Sequence, residues 1–234
     1  MQYTTEQLAD RYLAVKEINS VACEHCLYFG RRQQDLELER LWCKKAPEPR
    51  FSQNNGSFTG YAALAEHYAH SEEERKARYD RLLEKLEPEF VGQSDEVRYG
   101  TMTLSLQTLS TPLVELAGDG RTAKGLWTVT AQVTALDDKG PVGLWAYGKL
   151  AADFVLEDGA WKIWHMQALT DFVTPAGEAF DPALGAAIYP AGLGIDKTPT
   201  EPGDLYAWYS QDRPARLTPR MPEPYETFAD TFSY

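Results

Sequence analysis

The sequence predicts an α+β domain, on three observations: helical periodicity fills the N-terminal part, a period of two takes over from Tyr99, and the two do not alternate. Helices first and strands afterwards suit a helix layer packed on one antiparallel sheet, not the crossover units of a parallel one. The chain has 234 residues, 43% hydrophobic and 12% aromatic, enough for one such domain and an appendage.

Residues 4–28 read as the first helix. Thr4 and Gln7 make a capping box, Tyr3 and Leu8 stand at staple spacing, and Leu8, Tyr12, Val15, Ile18 and Ala22 recur on one face. Gly30 breaks the pattern. A second helix is expected from Gln34 to Lys45, stopped by Pro47 and Pro49. The segment 51–60 reads as two short strands around Asn55-Gly56, a strong hairpin turn. A long charged helix then covers 61–86, with HSEEERKARYDR as its solvated face. Four strand-like stretches follow, separated by GDGR, DDKG and EDGA, all good turn sequences. They imply an antiparallel meander.

After Phe172 the composition changes. Residues 173–234 hold nine of the fourteen prolines, which forbids long helices and central strands. Tyr189, Tyr206, Trp208, Tyr209, Tyr225 and Tyr234 are too many aromatics for a disordered tail. The expected organisation is a domain over 1–176 and an extended arm over 177–234, packed on its own or a partner subunit.

A formal charge of −12 repels phosphate backbones, so nucleic acid is not an expected partner. No run of about 18 apolar residues is present, so no membrane partner is expected either. Three cysteines without a disulfide pattern, and an N-terminus without an apolar leader, point to a soluble cytoplasmic protein.

Strand alternation assigns faces. Ala146, Gly148, Leu150, Ala152, Phe154 and Leu156 form an apolar inner face, and Ala123, Gly125, Trp127, Val129 and Ala131 form its counterpart. For 161–170 either set of alternate residues could face inward, and a bulge could place parts of both there. Small residues on the concave side leave a hollow. Trp127, Trp164 and Met166 are its expected walls, as in a small-molecule pocket.

The LWCKK helix end, the NNGSFTG hairpin, TPLVELAGDGRTAKGLW and WAYGKLAADFVLEDGAWKIWH followed by TDFVTP resemble, in order and spacing, the SnoaL-like branch of the NTF2-like superfamily. The resemblance covers residues 1 to about 180 and implies a cone: three N-terminal helices on a strongly curved antiparallel sheet. Polyketide cyclases, scytalone-dehydratase-like and ketosteroid-isomerase-like enzymes, a dehydrochlorinase, diarylpropane lyases and inactive binding proteins share it. It further implies chemistry without a cofactor. The dehydratase and dehydrochlorinase members use an Asp after the first helix and a His opening the third strand. Here those places hold Gly30–Arg31 and Gln107 or Thr108, so that dyad is not carried over.

Two residues are the expected chemical centre. Arg31 falls at a cone-lining place, where a guanidinium could hold a phenolate or carboxylate. His165, the only histidine in the predicted strands, is the natural proton carrier. Tyr28, Asn55, Tyr68, Gln107 and Tyr147 are polar-tipped candidates for substrate contact, beside the walls named above. Tyr147 could equally join Trp145 on a dimer face, and a homodimer or higher homo-oligomer is expected. Cys23-Glu24-His25-Cys26 lacks the ligand count for zinc, so no metal is expected. The leading reading is a cofactor-independent lyase, dehydratase or isomerase for a hydrophobic, aromatic small molecule. The alternative is a non-catalytic binding protein of the same fold.

Overall fold

In the computed structural model the order is α1 (Thr5–Gly30), α2 (Gln34–Leu41), β1 (Arg50–Gln53), β2 (Gly56–Thr59), α3 (Tyr61–Leu86), α4 (Asp95–Gly100), β3 (Ser105–Leu116), β4 (Thr122–Asp137), β5 (Gly140–Glu157), β6 (Ala160–Pro175) and β7 (Glu201–Pro202). The structure describes residues 3–101, 103–137, 139–177, 199–203, 206–210, 214 and 218–234. Of the expected arm, 178–198 (with Tyr189), 204–205, 211–213 and 215–217 lie outside the described residues.

The N-terminal capping box forms as the sequence suggests: the Gln7 amide donates to Thr4 Oγ1 and the Thr4 amide to Gln7 Oε1. The packed stripe of α1 lies further along than the periodicity implied. Ile18, Ala22, His25 and Cys26 are buried, whereas Leu8, Tyr12 and Leu13 are exposed. In that first half it is Arg11 that meets the sheet, donating to the carbonyls of Leu116 and Ala117. Helix α2 ends at Leu41, not Lys45, because Trp42 turns extended and bridges Ile163 of β6, with the Cys43 amide bonded to the Ile163 carbonyl. The short α4 was not foreseen.

The sheet order is β3-β4-β5-β6-β1-β2-β7. The four long strands form the predicted antiparallel meander, but β1 joins its edge in parallel with β6. In the β1–β2 hairpin the loop is Asn54–Asn55, and Gly56 opens β2 at φ 143. A Cβ there would lie 2.5 Å from the Glu201 carbonyl of β7, so only glycine fits.

Register shifts at Ser110/Leu113, Tyr147/Gly148 and Asp153/Phe154 bend the sheet around the helices. The shift at Asp153/Phe154 answers the ambiguity in β6. Trp164 is the extra residue, so Trp161 and Ile163 on one side of it and Met166 and Ala168 on the other all face inward. The main core of Ile18, Leu41, Trp42, Phe58, Trp127, Phe154, Ile163 and Met166 fills the narrow end between helices and sheet. Burying each large apolar side chain contributes about 1.5–3 kcal/mol.

The outer face is covered at one end by residues 218–234 of the same chain. Tyr225, Phe228, Phe232 and Tyr234 lie over β4, β5 and β6, where Lys124, Asp153 and His165 are buried beneath them. Tyr206 is also buried, its hydroxyl bonded to Lys149 of β5 and Asp171 of β6.

Candidate active site

Beyond the main core the space between helices and sheet opens into a cavity of about 510 Å³, within the usual range for small-molecule sites. Its sheet wall is Val129, Ala131 and Val133 of β4, Ala146 of β5 and Ala168 of β6. The alanines create the room, not the glycines. The space above Gly125 is filled by the ring of Trp127, whose Cη2 lies 2.1 Å from where a Cβ would stand. At Gly148 the missing side chain admits the Leu169 carbonyl, 2.1 Å from that position.

The helix wall carries the polar groups. His25 and Phe29 come from α1, His67, Tyr68 and Arg75 from α3, and Arg32 from the link between α1 and α2. Behind His25 stands Glu37 of α2, fully buried. Its Oε1 lies 2.9 Å from His25 Nδ1 and accepts from the Tyr68 hydroxyl at 3.0 Å and from Trp42 Nε1 at 3.2 Å. Toward a carboxylate, which accepts, Nδ1 is the donating nitrogen, and Nε2 lies on the other edge of the imidazole. Glu37 Oε2 is buried and has no partner among the described residues. A buried acceptor without a partner costs about 1–3 kcal/mol, which points to a role beyond packing.

Burial, reinforced by the charge of Glu37, pushes the Tyr68 phenol well above its ordinary pKa, so it remains a hydrogen-bond donor. Burial likewise pushes the Cys26 thiol up to about 12, which makes it an inert packing group. His67 is stacked on Phe58, with ring centroids 3.9 Å apart.

Of the residues singled out from the sequence, Tyr68 and Gln107 line this cavity. Tyr147 contributes to its wall, but the ring stacks on Phe172 and Trp145 of the outer face. Met166 and Trp127 sit in the main core, where Trp127 Nε1 donates to Asn19 Oδ1. Tyr28 accepts from Arg40, and Asn55 is in the hairpin loop; neither lines the cavity.

Further expected placements need correction. Trp164 is turned out of the cone by the β6 bulge, its Nε1 donating to the Pro47 carbonyl and its ring lying on His165 and Phe228. His165 follows strict alternation onto the outer face, where it pairs with Asp153 at 2.9 Å. Arg31 caps α1 and is exposed, while its neighbour Arg32, at φ 59, lines the cavity. The stretch expected as the solvated face of α3 also differs, since Ser71, Glu72, Arg75 and Tyr79 border the cavity.

His25 and Glu37 were missed, although a signal existed. His25 continues the Ile18–Ala22 stripe by one turn, and Glu37 falls beside Leu38 and four residues before Leu41, on the buried side of α2.

The fold can be compared with solved structures. Hexachlorocyclohexane dehydrochlorinase LinA type 2 is 13% identical, with a TM-score of 0.50 over 74% of this chain and 97% of that one. The type 3 enzyme from Novosphingobium barchaimii is 12% identical, with a TM-score of 0.48 over 74% and 98%. An NTF2-like protein with a cystatin-like fold from Novosphingobium aromaticivorans is 12% identical, with a TM-score of 0.44 over 80% and 98%. At such identity the likeness concerns fold alone. A comparison with curated proteins gives no match. No helix among the described residues is long and apolar enough to cross a membrane. The model of the SnoaL-like domain matches residues 10–167, the span that builds both the helix layer and most of the curved sheet, and the chain belongs to that family.

Proposed function

We propose that this protein is a cofactor-independent lyase, dehydratase or isomerase acting on a hydrophobic, aromatic small molecule in the cavity, with His25 as the proton carrier. The observation that carries this reading is the buried His25–Glu37 pair on the cavity wall. Glu37 fixes the tautomer of His25 and stabilises the imidazolium that forms when Nε2 takes a proton from carbon. In an elimination the C–H electron pair becomes the new double bond and the leaving group departs with its own pair. The proton on His25 is then returned to the leaving group or to solvent. In an isomerisation the same nitrogen returns it to a different carbon.

Phe29, Phe51, Val129 and Leu150 supply apolar contact for a ring, and Gln107 and Gln53 offer amide groups to a substrate oxygen. The Tyr68 phenol, held protonated, stiffens the Glu37 carboxylate. The family reading is consistent with this chemistry, but the assignment rests on His25 and Glu37.

Incubating the protein with a panel of aryl-propanoid and polyketide-like compounds, followed by mass spectrometry, tests the proposal. Turnover of at least one compound is expected in the wild type, with a 100- to 10,000-fold loss in His25→Gln, about the share general acid–base catalysis supplies. Compounds recovered bound but unchanged would make the protein a receptor. Full activity in His25→Gln would remove the site assignment.

A further inference from the structure

The cavity is hydrophobic on its sheet wall, but its helix wall gathers positive charge in a chain that is otherwise strongly acidic. Arg32 and Arg75 both line it. Glu72 takes Arg75 in a two-pronged ion pair, Nε to Oε2 at 2.8 Å and Nη2 to Oε1 at 2.6 Å. The remaining nitrogen, Arg75 Nη1, is buried and has no partner among the described residues. Arg32 has no carboxylate or carbonyl on its guanidinium among the described residues, which lies 5.8 Å from the ring centre of Phe29. Of the other carboxylates of this part of α3, Glu74 pairs with His70 through Oε1, Asp80 with Arg98, and Glu73 is exposed. Glu72 is thus the carboxylate that acts on both Arg32 and Arg75, while Arg78 and Arg81 add further positive charge to the same wall.

Leaving a guanidinium half-buried without an anion is costly, and so is bringing a second one close to it. Burial first, and the charge of Arg75 second, lower the pKa of Arg32, while Glu72 opposes this. Its backbone also adopts the left-handed conformation, at φ 59, which costs a non-glycine residue about 1–2 kcal/mol. Surface arginines carry none of these costs. A planar two-oxygen anion would relieve both arginines at once, since a guanidinium fork matches a carboxylate with two parallel hydrogen bonds.

We propose that Arg32 and Arg75 form an anion subsite in the cavity and that its ligand is an aromatic carboxylate, with the ring against the Val129–Ala131–Ala168 wall and the carboxylate between the two arginines. The inference rests on the reading of the cavity as a small-molecule site, but not on the chemistry assigned to His25.

Matched pairs test it: 3-phenylpropanoate and cinnamate, each against its methyl ester, with 4-nitrophenolate as a one-oxygen anion, measured by calorimetry on the full chain. The carboxylates are expected to bind the wild type at least tenfold more tightly than the esters. Arg32→Gln should abolish that preference while ester affinity stays within twofold, which also shows that the variant is folded. Arg31→Gln, a charge change outside the cavity, should leave the preference intact. Esters binding as tightly as acids would overturn the anion subsite and leave the cavity reading standing. Arg32-dependent binding of 4-nitrophenolate without the carboxylates would overturn the carboxylate assignment. Equal losses in Arg31→Gln and Arg32→Gln would reduce the subsite to a diffuse field. Failure of every compound to bind would overturn the subsite and the cavity reading together.

Discussion

Two histidine–carboxylate pairs of the same length are buried on opposite faces of one sheet. On the outer face, Asp153 is saturated. Its Oδ1 receives Lys124 at 2.5 Å, and its Oδ2 receives His165, the Ser233 hydroxyl and the Tyr234 amide. The rings of Phe228, Phe232 and Tyr234 close over Lys124, with centroids 4.3 to 5.0 Å from Nζ. His165 is not among the residues that line the cavity of about 510 Å³. On the concave face, Glu37 keeps one oxygen unpartnered and His25 borders open volume. A pair whose carboxylate is filled on both oxygens by donors of its own chain holds structure together. A pair with one edge left over beside a cavity is placed for chemistry. Burial and distance alone would not separate them.

Substitutions can break that distinction. The largest effect is expected for His25→Gln: a 100- to 10,000-fold loss of turnover, with an unfolding midpoint close to the wild type, read by kinetics and calorimetry together. Asp153→Asn should do the reverse, costing about 3–5 kcal/mol of stability by leaving Lys124 buried without its anion, while activity per folded molecule is retained. The sign of its pH dependence follows. Burial already holds the Lys124 pKa below its ordinary value against the pull of Asp153, and loss of the carboxylate lowers it further. Between that depressed value and the ordinary lysine range, the unfolded chain binds a proton that the folded one does not, so the stability of Asp153→Asn should rise with pH. A denaturation series from pH 7 to pH 9.5 with no such rise would mean that Lys124 keeps its charge by other means.

Smaller changes sharpen the comparison. Tyr68→Phe removes one of three donors on Glu37 Oε1 and should cost about 1.5–3 kcal/mol, as hydrogen bonds to charged groups do, together with a loss of turnover that a purely structural tyrosine would not produce. Tyr234→Phe removes only the hydroxyl bond to the Arg220 carbonyl and should cost about 0.5–1.5 kcal/mol in chemical denaturation, with turnover unchanged. A loss of turnover in Tyr234→Phe would mean that the two faces communicate.

The elements were largely legible because they rest on local patterns. The capping residues of α1, the alternation in β4 and β5 and the hairpin around Asn55 each specify a conformation through neighbours a few residues away. The site was only partly so. Tyr68 and Gln107 were found, but Trp164 was placed by alternation across a bulge whose position no local pattern reveals, and His165 was chosen for its chemistry although alternation sets it opposite Met166. Arg31 and Arg32 differ by one backbone conformation, and that alone puts one in solvent and the other on the cavity wall.

Composition and periodicity by themselves determined that this chain builds helices on a twisted antiparallel sheet with small residues on the concave side, since propensity and patterning act within a few residues. Tertiary structure alone decided which histidine–carboxylate pair meets the cavity, and the reason is distance along the chain. Glu37 reaches back 12 residues to His25, whereas Asp153 is closed over by residues 80 and 81 positions further on. Those contacts exist only after the helices have docked and the outer face has been covered.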